Sequence, residues 1–182
     1  DRSTAGIQKL VATLKADVAR ADGVDTPALS FPVRTSIEVV KSAYKTALEG
    51  FALPYGDVAV GGWRNTPYVV IQNVGAYLDT PKLLDTDHPV ENASDAEAYL
   101  ARLAEYPKQL DGELERMRAA RGQGMVPPNF LIDKAISQLS LSAKGAHEGG
   151  TVVDSLVRRA KEKGISGDWE TRARKIATEQ VA

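Results

Sequence analysis

A chain of 182 residues, 43% hydrophobic and 26% charged, is long enough and apolar enough to bury a core, which excludes intrinsic disorder. Its 23 Lys and Arg offset 24 Asp and Glu to leave a net charge of -1, so it has no basic field to attract a phosphate backbone and nucleic acid is not an expected partner. Cys is absent, which excludes disulfides, thiolate metal sites and a Cys nucleophile, and no apolar run approaches the ~18 residues of a membrane span.

The opening DRSTAGIQKL has neither an initiator Met nor the layout of a signal peptide, so these residues are expected to follow a removed leader or a junction. From residue 4 to 20, Ile7, Leu10, Val11, Leu14 and Val18 recur at steps of three and four, the stripe of an amphipathic helix that Gly23 ends. Pro27 and Pro32 mark a turn. A second stripe follows with Ile37, Val40, Tyr44, Leu48 and Phe51, and Pro54 closes it.

In SDAEAYLARL, Ser94 is placed to cap the helix while Glu97 reaches back to the Ser94 amide. Leu100, Leu103, Leu110, Leu114 and Met117 continue one face to about Arg121. Pro107 interrupts it, because its ring removes one amide and crowds the carbonyl four residues back, so a break is expected near Glu105. PPNFLIDKAISQL predicts a helix with Pro128 near its first position and with Leu131, Ala135, Ile136 and Leu139 inward. TVVDSLVRRAKEKG predicts another, with Thr151 as N-cap, Val153, Leu156, Val157 and Ala160 buried, and Gly164 as a left-handed C-cap. The last, from Asp168, sets Trp169, Ala173, Ile176 and Ala177 on one face and reaches Ala182 without a stop signal, as if the natural chain continues. VAVGG and YVVIQ are the only strand-like runs, so the expected class is an all-α multi-helix array with little or no strand.

Chemistry is sparse. His147 and Glu148 look like the start of a helical zinc motif, but the second His belongs at position 151, which is Thr, and Gly149 and Gly150 weaken the helix that spacing needs. A turn between helices is the expected reading there. His88, the other imidazole, lies among Asp85 and Asp87 in what reads as an Asp-rich turn before a helix. GDVAVGG lacks phosphate-loop spacing, and the runs ELERMRAAR and RRAKEKG read as solvated helix faces. No catalytic residue and no metal ligand emerge.

The stretch GGWRNTPYVVIQNVGAYLDTP is denser, with Trp63, Arg64, Asn65, Tyr68, Gln72, Asn73 and Tyr77 close together. A helix capped by Asn65 or Thr66 would turn Val70, Ile71, Val74 and Leu78 inward and leave Tyr68, Gln72 and Asp79 on the other side. The run Val69, Val70, Ile71 equally suits a short strand, and periodicity alone leaves both open. Arg64, Asn65, Tyr68 and Gln72 are the candidate cleft residues, against a plain reading in which the aromatics are core.

TPYVVIQNVGAY, the DAEAYLARL helix with its following Pro107, and the pattern of Gly124, Pro127, Pro128 and Asp133 resemble the bacterial domain of unknown function 885 family, from about Phe51 to the end. Members of that family look like gluzincin zinc metallopeptidases, helical proteins similar to neurolysin and carboxypeptidase Taq, often exported or lipid-anchored. Their HExxH helix and later Glu ligand lie downstream of the region present here. The resemblance therefore implies that residues 1–182 form a single helical domain, or a fragment of a larger neurolysin-like body, walling a peptide channel. It implies no zinc ligand in this chain and zinc in the parent protein, with the catalytic half and a peptide as partners and a periplasmic or secreted location. The other reading is an autonomous helical interaction module without catalysis. A third, a small metalloprotein built on His88 and His147, is the least supported by spacing.

Overall fold

The protein was described from a computed structural model, which covers residues 1–60, 65–147 and 150–181. Its regular elements are helices: α1 (Thr4–Asp22), α2 (Phe31–Phe51), α3 (Ala76–Lys82), α4 (Ala93–Ala104), α5 (Tyr106–Gly122), α6 (Asn129–His147), α7 (Gly150–Glu162) and α8 (Trp169–Ile176). Two wider π-helical turns, Leu83–Asp87 and Ala177–Val181, extend α3 and α8. Among the described residues there is no strand, only the isolated bridges Asp57 to Thr66 and Ile71 to Val74. The all-α expectation therefore holds, and the described part of VAVGG and all of YVVIQ lie outside any strand.

The contacts group the chain into two compact units, one of Asp1–Val69 with Glu115–Val126 and one of Val70–Leu114 with Pro127–Ala182. The first is built on α1 and α2. Ser3 accepts the Gly6 amide to cap α1, and Asp22 at the far end of α1 pairs with Lys41 and Lys45 of α2. The apolar stripes are where periodicity puts them, yet Leu14 is the only buried residue of α1 and Ala47 the only one of α2. Leu10 and Val40, expected inward, are exposed.

The second unit carries the continuous core. Tyr99, Leu100 and Leu103 of α4 pack with Val153, Leu156 and Ala160 of α7 and with Trp169 and Ala173 of α8, closed by Leu84 and Val90. Pro107 acts as expected: α4 stops at Ala104, Glu105 is its C-cap, and α5 restarts at Tyr106 with Pro107 in its first turn, where the missing amide costs nothing. Gly164 ends α7 at φ +66, and the Ile165 amide reaches back to the Ala160 carbonyl, a Schellman closure. Arg172 clamps α8 to α4 with two 2.6 Å bonds to Glu97 and lies over the Trp169 ring.

Three expectations are corrected. Asn92 caps α4, accepting the Asp95 amide at 3.0 Å, while Asp95 accepts the Glu91 amide; Ser94 sits inside the first turn and Glu97 is engaged by Arg172. Thr151 lies inside α7 instead of capping it. On α6 Ala135 is buried as expected, but Ile136 and Leu139 are exposed, as are Leu114 and Met117 of α5.

Candidate functional site

The helix that the spacing allows from residue 67 does not form. Pro67 to Val70 are bends, Ile71 and Val74 close a tight turn by exchanging hydrogen bonds of 3.0 and 3.2 Å, and α3 begins only at Ala76. Gly75, at a φ of +147 that no helix contains, separates that turn from α3, so no helical run passes from 67 into α3. Tyr68 and Gln72 therefore do not share a helix face. Arg64, with Trp63, lies outside the described residues. Asn65 uses its side-chain oxygen to accept the Ala59 amide at 2.9 Å and borders a cavity of about 360 Å³ beside α2. Tyr68 is half-buried, and its amide donates to the Thr66 hydroxyl. Gln72 is half-buried, and its side-chain oxygen has no partner among the described residues.

Arg116 organises the same loop. Its Nη2 donates to the Asp57 carboxylate at 2.7 Å and to the Gly56 carbonyl at 3.0 Å, while Asp57 and Thr66 pair through their backbones. Gly56 is required: its φ is +92 and a Cβ would lie 2.6 Å from the Thr66 carbonyl oxygen. Arg116 lines a second cavity of this unit, about 300 Å³, beside Ile7, Phe51, Val58 and Val69.

In the second unit several buried polar groups hold the fold. His88 is buried, with Arg102 donating to Nδ1 at 2.7 Å and Nε2 facing the Asp95 carbonyl at 2.9 Å. A guanidinium only donates, so Nδ1 must accept and the ring proton sits on Nε2. Tyr99 meets the His88 ring edge-on and donates to the Val152 carbonyl at 2.6 Å. Burial pushes the Tyr99 hydroxyl above its ordinary pKa, and does the same to Tyr106. Arg159 donates to the Leu84 and Asp85 carbonyls at 3.1 and 3.2 Å and to that of His88. Glu113, also buried, receives the Ala76 amide on both carboxylate oxygens at 2.9 and 2.8 Å, at the start of α3. The Tyr77 hydroxyl shares its proton between the Ile71 carbonyl and Gln138, and burial, then the Glu113 charge, raises its pKa.

Sequence reasoning missed Glu113 and Arg116, which it placed on a solvated face. The signal was present: Tyr106, Leu110, Glu113, Met117 and Ala120 step by three and four, so Glu113 falls on an apolar stripe. Glu148 and Gly149 lie outside the described residues, and α6 runs to His147, where a turn was expected. Among the described residues no three His, Cys, Asp or Glu gather as a metal site. No helix among them is long and apolar enough to cross a membrane.

Set beside known families, the whole chain, residues 1–182, matches the model of a bacterial protein family of unknown function, DUF885. The chain belongs to that family. No curated protein and no solved structure matches it.

Proposed function

We propose that this chain is the non-catalytic helical portion of a zinc metallopeptidase-like protein and forms a wall of its peptide-binding channel. One observation carries the reading. In each unit a long helix turns large apolar side chains to solvent: Phe31 and Val39 on α2 are 73% and 61% exposed, and Phe130 and Leu141 on α6 are 61% and 71% exposed. Large apolar side chains left in water along one helix suit a surface that another body or a ligand covers. The resemblance to gluzincin peptidases supplies the identity of that body, a catalytic half, and of the ligand, a peptide.

Both ring nitrogens of His88 are already engaged, and among the described residues no three His, Cys, Asp or Glu gather as a metal site. No catalytic step is assigned to these residues, and zinc in the parent protein would rest on ligands elsewhere. In the channel, Arg64 would offer its planar fork to a peptide carboxylate, and Tyr68 and Gln72 would hydrogen-bond an extended backbone, with Asn65 beside them.

The test is made on the full-length parent protein. Arg64→Ala is expected to lower kcat/KM on peptides about tenfold or more, with zinc content and Tm unchanged. A parent that neither binds zinc nor cleaves peptides refutes the peptidase reading and leaves the interaction module. A large fall in Tm with unchanged activity per folded molecule refutes the channel role of Arg64.

A further inference from the structure

We draw no further inference here: the strongest candidate, the mostly apolar groove of about 350 Å³ where α3, the start of α5, the end of α6 and the start of α7 meet in the second unit, is open to solvent along Leu139, Leu141 and Ala143, and nothing in the structure shows what covers it.

Discussion

Arg159→Met is the perturbation that most directly probes how the second unit is held. A helix end leaves carbonyls without backbone donors, and the π-helical turn at Leu83–Asp87 leaves those of Leu84, Asp85 and His88 to the three donations from Arg159. Leu84 and His88 are buried, so water cannot replace Arg159 there, whereas Asp85 is only half-buried. At about 1 to 1.5 kcal/mol for each buried carbonyl that loses its donor, with a smaller amount for Asp85, the substitution should cost about 3 kcal/mol. Met keeps most of the aliphatic stem, so packing contributes little to that figure. For a chain of this size the loss corresponds to a fall in Tm of about 6–12 °C. Urea unfolding followed by far-ultraviolet circular dichroism measures it, with Arg159→Lys expected in between because an ammonium reaches fewer of the three carbonyls. A loss under about 0.5 kcal/mol for Arg159→Met, within the range of an ordinary surface substitution, would refute the assignment of these bonds as structural.

Asn92→Ala should cost about 1 kcal/mol and Ser94→Ala next to nothing, since only Asn92 accepts an amide at the start of α4; equal losses in urea unfolding would contradict that cap. Glu97 is held below its ordinary carboxyl pKa by the hydrogen bonds from Arg172, so the stability it contributes is present above the unfolded value near 4.5 and drains away as pH falls through the lower folded value. Glu97→Gln should flatten that part of the pH-stability curve, and salt should weaken the pair in the native protein; an unchanged acid limb would show that other carboxyls dominate it. The apolar faces of α2 and α6 should make the isolated chain self-associate in light scattering, and Phe31→Ser with Leu141→Ser should reduce it; a strict monomer at every concentration would remove the observation on which the proposed function rests.

Features decided within one or two turns of chain were legible before any coordinates. The stripes of α1, α2, α7 and α8, the break at Pro107 and the C-cap at Gly164 follow from helical period, a missing amide and a left-handed backbone, each set by neighbours in sequence. The choice of cap on α4 was not local. Asn92 and Ser94 both stand three residues before an acidic side chain, and docking decided between them: Glu97 went to Arg172 on α8, while Asp95 turned back to the Glu91 amide. Periodicity likewise showed that Ile136 and Leu139 share a side of α6 but not that the side stays open, because a stripe records which residues point together and not what covers them. The candidate site divides in the same way. That Arg64, Asn65, Tyr68 and Gln72 are neighbours along the chain was readable from the sequence, whereas the bond from Ala59 to Asn65, the tie of Arg116 to Asp57 and the burial of Glu113 against the Ala76 amide join residues 6, 59 and 37 apart. Such pairings are chosen by the packing of whole helices, where a buried charge is tolerated only beside its partner, and that constraint exists only in the folded chain.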